Sequence, residues 1–130
     1  MKENHNEVNQ NADKIKEAEA EKTFSTKELS EEILKYKDLG NAQFKQKQFL
    51  TATQVFEGGI NFYMKHQSQC KKDKDVMQKV TQLYTNRSLS FHNLDQQEDA
   101  FNDANYVVEN IDACNTKALN RRAHYYRTKS

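Results

Sequence analysis

The sequence predicts an all-α protein with one structured domain. The 130-residue chain has no proline, only three glycines and 30% charged residues, and this composition favours helices over sheets. Hydrophobic residues recur at steps of three and four after residue 25, the spacing that places them on one face of a helix. We expect five helices, near residues 27–46, 49–66, 76–92, 97–109 and 116–128.

The first 24 residues are predicted to form a flexible, charged tail. They are rich in Asn, Glu and Lys, and between Met1 and Phe24 their apolar residues are only Val8, Ile15 and scattered alanines. This apolar surface is too small to offset the entropy lost when a chain segment becomes ordered. We therefore expect the structured domain to occupy residues 25–130.

The first helix is predicted to begin at Ser25, which has the capping-box spacing with Glu28. A glycine inside this helix, Gly40, costs about 1 kcal/mol relative to alanine. We expect that its missing side chain lets the second helix approach closely. The predicted buried face consists of Leu29, Ile33, Tyr36, Leu39, Gly40 and Phe44.

The second helix should carry small residues where it crosses the first. We expect Ala52 and Gly59 to provide these contacts. Residues 64–79 then extend the helices on either side of a polar turn, predicted near Lys71 to Asp75, and form a structural insertion. The predicted buried face of the second helix consists of Phe49, Ala52, Phe56, Gly59, Ile60 and Tyr63.

The chain contains an internal repeat that resembles the tetratricopeptide pattern, in which aromatic, Leu-Gly and Ala positions recur with a 34-residue period. Gln43 stands where an aromatic residue is expected. The separation of Gly40 and Ser88 exceeds the period because of the insertion, whereas Ser88 and Ala123 are close to one period apart. The matching residues are Tyr36, Leu39, Gly40, Ala52 and Phe56 in the first copy, Tyr84, Ser88, Phe91, Ala100 and Ala104 in the second, and Leu119, Ala123 and Tyr126 in a partial third.

Within the tetratricopeptide family, residues 29–130 resemble the dicarboxylate-clamp domains that bind chaperones. The resemblance implies a right-handed helical-hairpin array of about two and a half repeats. It also implies that the concave face binds the C-terminal Glu-Glu-Val-Asp tail of the seventy- or ninety-kilodalton heat-shock proteins. The five clamp positions are filled by the expected residue types: Lys37, Asn41, Asn86, Lys117 and Arg121.

Residue spacing also supports a binding site at these positions. Lys37 and Asn41 are four residues apart, as are Lys117 and Arg121, so each pair projects from one side of its helix. In a stacked array of hairpins, the first helices line one groove, and Asn86 would lie between the two pairs. Cations and amide donors at fixed spacing suit the two carboxylates of a C-terminal acidic residue.

Other functional classes receive little support from the sequence. Twenty basic and nineteen acidic side chains create no overall field that would attract nucleic acid or a membrane surface. We find no phosphate loop, nucleophile elbow or paired-carboxylate site, so we expect neither an enzyme nor a bound cofactor. His66 and Cys70 could share a metal, but further ligands are missing, and no metal site is predicted.

The sequence leaves two functional classes open. In the first, a cytoplasmic co-chaperone adaptor recruits heat-shock proteins; the cytoplasm is expected because the start of the chain lacks an apolar signal-peptide core. In the second, the helical array is a scaffold subunit of a larger assembly. The repeat pattern stops before a sixth helix, so we expect Leu119, Ala123 and Tyr126 to lack their usual cover. Either the chain is a fragment of a longer protein, or a further protein supplies the cover.

Overall fold

The computed structural model describes residues 23–129, which form α-helices joined by short turns and contain no strand. The predicted all-α class is confirmed, whereas residues 1–22 of the predicted tail lie outside the described part of the chain. Within residues 23–129, no helix is long and apolar enough to cross a membrane. The helices are α1 (Thr26–Lys45), α2 (Phe49–Lys65), α3 (Gln67–Cys70), α4 (Lys74–Asn93), α5 (Gln97–Asn110) and α6 (Thr116–Lys129).

Helices α1 and α2 form an antiparallel pair. The rings of Phe44 and Phe49 are 5.1 Å apart beside the turn, and at the other end the rings of Phe24 and Phe62 are 5.6 Å apart. The predicted capping box is present, because the Ser25 side chain accepts from the backbone of Glu28 and the Glu28 side chain accepts from the backbone of Ser25. It satisfies backbone donors that the first turn of a helix leaves free.

Gly40 makes room for an aromatic ring. A Cβ atom at this position would lie 2.3 Å from Cε1 of Phe56. The sequence had led us to expect that the backbone of α2 approaches Gly40, but the close neighbour is a side chain of α2. Gly59 faces Tyr36 and Leu83, and it therefore lets α2 pack against both α1 and α4. Leu39 was placed on the buried face of α1, but this prediction is wrong because Leu39 is 52% exposed.

The insertion contains a short helix that the sequence did not reveal. Helix α2 ends at Lys65, and α3 follows after His66. The amide nitrogen of Gln67 donates to the hydroxyl groups of Tyr63 at 3.3 Å and Tyr106 at 3.4 Å, which fastens α3 to α2 and α5. The sequence predicted a polar turn near Lys71 to Asp75, whereas α4 already begins at Lys74, after the N-cap residue Asp73.

Helices α4 and α5 form a second antiparallel pair. The rings of Tyr84 and Tyr106 stack at 4.4 Å, and the hydroxyl of Ser88 donates to the carbonyl oxygen of Ala100 at 2.6 Å. The two pairs join through α4, which packs against both α1 and α2. The side-chain core between them includes Ile33, Phe56, Ile60, Val80, Leu83 and Val107.

Helix α6 is only partly covered. It packs mainly against α5, where the ring of Tyr125 stacks on Phe101 at 4.4 Å. Ala118 is its one buried residue, while Leu119 is 39% exposed and Tyr126 is 54% exposed. Ala123 is half-buried, and Leu119 and Tyr126 present part of the apolar surface of α6 to solvent.

Candidate peptide-binding groove

The five predicted site residues lie on three helices, with α4 in the middle. Lys37 and Asn41 lie on α1, Asn86 lies on α4, and Lys117 and Arg121 lie on α6. Helix α4 contacts both α1 and α6. The Lys37–Asn41 pair and the Lys117–Arg121 pair therefore flank the helix that carries Asn86, and we call the surface formed by these five residues the groove.

Side-chain hydrogen bonds join the α1 side of the groove to α4. Nζ of Lys37 donates to Oε1 of Gln82 at 3.0 Å, and Nδ2 of Asn86 donates to Oδ1 of Asn41 at 2.9 Å. Both contacts join residues that are 45 positions apart. Because this separation stays constant along the two helices, α1 and α4 run parallel at the groove.

Gln82 is a groove residue that the sequence reasoning missed. It lies four positions before Asn86 on α4 and is half-buried. Residues four apart share a helical face, so Gln82 and Asn86 repeat on α4 the spacing of Lys37 and Asn41 on α1. That repeated spacing is the signal from which Gln82 could have been found.

Two cavities meet at Asn86. The first has a volume of about 260 Å³ and lies between α4 and α6, where Asn86, Lys117 and Arg121 share its lining. The second, of about 180 Å³, lies between α1 and α4 and is lined by Asn41, Phe44, Asn86 and Leu89. Asn86 and Leu89 line both cavities, so an extended ligand could contact the α1 and α6 sides of the groove together.

The cations of the groove have no acidic partner within residues 23–129. No carboxylate there lies within ion-pair distance of Lys37, Lys117 or Arg121, whereas Arg87 and Arg122 are paired with Asp103 and Glu109. Burial lowers the pKa of the Arg121 guanidinium, which indicates that its charge is partly removed from water. An arginine remains protonated at neutral pH even so, and an anion would stabilise it.

The amides of the groove retain hydrogen-bonding capacity. A carboxamide has two N–H donors and an acceptor oxygen, and Asn41 uses its oxygen to accept from Asn86. Within the described chain, the N–H groups of Asn41 have no protein acceptor. Three cations and these free donors suit a ligand with more than one carboxylate, because hydrogen bonds between charged groups are stronger than those between neutral ones.

The cysteine and histidine side chains form no metal centre in the part of the chain that the structure describes. No group of three or more His, Cys, Asp or Glu side chains there could hold an ion. Cys70 is buried and Cys114 is exposed, and both are free thiols. Burial raises the pKa of the Cys70 thiol to about 11, which disfavours the nucleophilic thiolate at neutral pH.

Comparison with protein-family models and curated proteins identifies no relative of this chain. The sequence matches no protein-family model, and no curated protein is significantly similar to it. The fold and the groove therefore rest on the chain's own residues.

Proposed function

We propose that the protein is an adaptor of the tetratricopeptide type that binds a C-terminal acidic peptide in the groove. The expected ligand is the Glu-Glu-Val-Asp tail of a seventy- or ninety-kilodalton heat-shock protein. The observation that carries the proposal is a set of three cations without a carboxylate partner in residues 23–129. Lys117 and Arg121 share a cavity with Asn86, and Lys37 donates to Gln82, four residues before Asn86 on α4.

The packing of the helices supports the repeat assignment. Helices α1 and α2 form one antiparallel pair, α4 and α5 form another, and α6 begins a third unit. The first helices of the first two units, α1 and α4, run parallel and contribute adjacent residues to one surface. Stacked helical hairpins of this kind use the surface formed by their first helices to bind extended ligands.

The chemistry of each side of the groove suggests which carboxylate it holds. Lys37, Asn41 and Asn86 would bind the terminal carboxylate, because a cation and two amides converge there. Lys117 and Arg121 would bind the acidic side chain of the last residue and the nearby peptide backbone. A short flexible peptide loses ordering entropy on binding, so we expect a dissociation constant of about 1 μM, or about −8 kcal/mol.

A peptide titration tests the proposal. By calorimetry, a pentapeptide ending in Glu-Val-Asp should bind, and each single change of Lys37, Asn41, Asn86, Lys117 or Arg121 to Ala should cost about 1–3 kcal/mol. Lys35→Ala and Arg122→Ala are matched controls, because these cations pair with Glu32 and Glu109 outside the five-residue groove. Both controls should bind as tightly as the wild-type protein.

The amidated peptide identifies the contact with the terminal carboxylate. Amidation should weaken wild-type binding at least as much as Lys37→Ala does. In the Lys37→Ala protein much of that penalty should disappear, because both changes remove the same contact. Equal binding of free and amidated peptides, or no binding at millimolar concentration by the folded protein, would refute the adaptor proposal.

A scaffold function is the second candidate, and the exposure of α6 supports it. Leu119 and Tyr126 present apolar surface beside the cations of a helix that contains no acidic residue. A scaffold would use this surface to dock a further protein of a larger assembly. If Leu119→Lys and Tyr126→Lys leave peptide binding intact and yet abolish co-purification of a partner, both functions belong to the protein; if the partner remains bound, the scaffold candidate fails.

A further inference from the structure

Two histidines meet across α4 and α6, beyond the groove residues. The rings of His92 and His124 contact each other edge to face, with their centroids 5.0 Å apart. His92 follows Leu89 by three residues and His124 follows Arg121 by three, and both Leu89 and Arg121 line the 260 Å³ cavity. Since residues three apart lie on neighbouring parts of a helical face, the histidine pair lies about one turn beyond that cavity.

The groups around the pair are mostly cationic or neutral. Arg121 and Arg127 on α6 and His92 on α4 act on the charge of His124. On the α5 side, Nδ1 of His92 is 3.1 Å from Oε1 of Gln97. The nearest acidic group in this network is Asp95, whose Oδ1 accepts from Nε2 of Gln97 at 3.4 Å. Asp95 also lies one turn from His92 along the chain, because its backbone N–H donates to the carbonyl oxygen of His92 at 3.0 Å.

We propose that His92 and His124 form a second anion subsite, which binds an acidic side chain upstream of the ligand's terminal residue when His124 is protonated. The inference rests on the proposed function, since it assigns one more contact to the same peptide. The subsite would add a contact that depends on protonation to those of the five groove residues, which are cations or neutral amides. The ligand chemistry is that of a glutamate or aspartate in an extended peptide.

The direction of the pH dependence follows from the surroundings of His124. Burial, together with the charges of His92, Arg121 and Arg127, lowers the pKa of His124 below its ordinary value of 6.5. The imidazole is therefore mainly neutral at pH 7.5 in the free protein. A bound carboxylate favours the protonated form, so peptide binding takes up a proton and affinity rises as the pH falls.

Calorimetry with two peptides at pH 7.5 and pH 5.5 tests the subsite. A wild-type titration with a peptide ending in Glu-Glu-Val-Asp should give about threefold to tenfold tighter binding at the lower pH, the gain expected for one added hydrogen bond. The same peptide with Gln-Gln in place of Glu-Glu should lose most of this gain. Peptide carboxylates remain mainly ionised at pH 5.5, since their ordinary pKa values are about 4.

Protein variants identify the histidines that are responsible. His124→Gln and the double variant His92→Gln/His124→Gln should bind the Glu-Glu peptide as the wild type does at pH 7.5 and should lack the gain at pH 5.5. His66 is buried near Phe24 and Phe62, so His66→Gln is the matched control and should retain the gain. Circular dichroism at both pH values verifies that each protein is folded.

The outcomes separate this inference from the proposed function. Binding that is equally tight at both pH values would overturn the histidine subsite and leave the groove intact. A gain that persists in the double histidine variant, or with the Gln-Gln peptide, would also overturn it. Absence of binding at either pH would refute the adaptor function and the subsite together.

Discussion

Asn86 on α4 donates a hydrogen bond through Nδ2 to Oδ1 of Asn41 on α1, at 2.9 Å. The bond fixes the orientation of both amides, because the oxygen of Asn41 faces α4 and its N–H groups are left for a ligand. Together with the bond from Lys37 to Gln82, it joins the two helices at the groove. One side-chain contact therefore arranges donors on both of them.

A change of Asn86 to Asp should test this arrangement. The carboxylate has nearly the same shape, but it cannot donate to Asn41 and it repels an anionic ligand. We expect peptide affinity to fall about tenfold further than it does for Asn86→Ala, since a charge repulsion adds to the lost hydrogen bond. Asn93→Asp, exposed at the end of the same helix, is the control and should bind normally in the same calorimetric titration.

Adding a methyl group at Gly40 should destabilise the fold. The new Cβ would lie 2.3 Å from the ring of Phe56, which is fully buried and cannot move aside. We expect Gly40→Ala to lower the free energy of unfolding by roughly 1–3 kcal/mol through overpacking, despite the better helix propensity of alanine. Gly40→Leu should cost at least as much.

Gly58 provides the comparison for Gly40. A Cβ there would lie 2.8 Å from Cε1 of Tyr36, in the ring of a half-buried side chain, whereas the Phe56 ring is fully buried. Gly58→Ala should therefore change stability by less than Gly40→Ala in urea unfolding. If the two variants unfold at the same urea concentration, the interpretation of Gly40 as a space for the Phe56 ring is wrong.

The buried ion pair of Arg87 and Asp103 should be sensitive to loss of either partner. Nε and Nη2 of Arg87 donate to the two carboxylate oxygens at 2.8 and 2.6 Å. Asp103→Ala should cost about 3–5 kcal/mol because it leaves an unpaired buried charge. Adding Arg87→Met should recover part of that loss, which a double-mutant cycle of urea unfolding would measure.

The more exposed pair of Arg122 and Glu109 is the control for that cycle. Its atoms are 3.8 Å apart and the Glu109 side chain is 62% exposed. Glu109→Ala should cost less than about 1 kcal/mol, since exposed ion pairs contribute little. A similar cost for Asp103→Ala would contradict the interpretation of Asp103 as a buried, paired carboxylate.

Alkaline pH should destabilise the protein through Cys70. Burial raises the pKa of this thiol from an ordinary value of 9.0 to about 11. Between these two values the unfolded chain releases the thiol proton while the folded protein retains it, so this contribution to stability is lost as the pH rises. Cys70→Ala should flatten the stability profile over this range, and an unchanged slope would contradict the assignment.

The two thiols should also differ in reactivity. Iodoacetamide at pH 8 should modify the exposed Cys114 within minutes, whereas Cys70 should react only as fast as the protein opens. Mass spectrometry of the digested protein distinguishes the two sites. Cys114→Ser should remove the fast reaction, and rapid labelling of Cys70 in that variant would show that its site opens readily.

The sequence was informative where helical periodicity and capping chemistry act locally. The capping box at Ser25 and Glu28 follows from spacing alone. So do five of the six predicted core positions of α2, whereas Phe49 is only half-buried and the buried Thr53 was not selected by spacing. The helix α3 did not follow, since it is held by contacts of Gln67 with Tyr63 and Tyr106, and Tyr106 lies far away in sequence. Leu39 was misplaced because periodicity selects apolar residues even where no other helix covers them.

The groove was predictable only in part for the same physical reason. Spacing of four residues showed that Lys37 and Asn41 project together, and likewise Lys117 and Arg121. Spacing within one helix does not identify the neighbour across the groove. The hydrogen bond that Lys37 donates to Gln82 depends on the packing of α1 against α4 and could not be predicted from spacing. The contact of His92 with His124 depends on packing between α4 and α6 in the same way.

The parallel alignment of α1 and α4 means that residues added to the turn before α4 and residues added within α4 have different effects on the groove. Lys37 contacts Gln82 and Asn41 contacts Asn86, and both contacts join residues 45 positions apart. The four-residue step from the first contact to the second must therefore rotate by the same angle about the axis of each helix. A deletion between Gln82 and Asn86 would turn Asn86 by about 100° and carry it away from Asn41. An extra residue in the turn at Lys71 and Lys72, outside the helices, changes the length of the connection without rotating either helix. Insertions and deletions should therefore be tolerated in that turn and should abolish ligand recognition when they fall within the groove segment of α4.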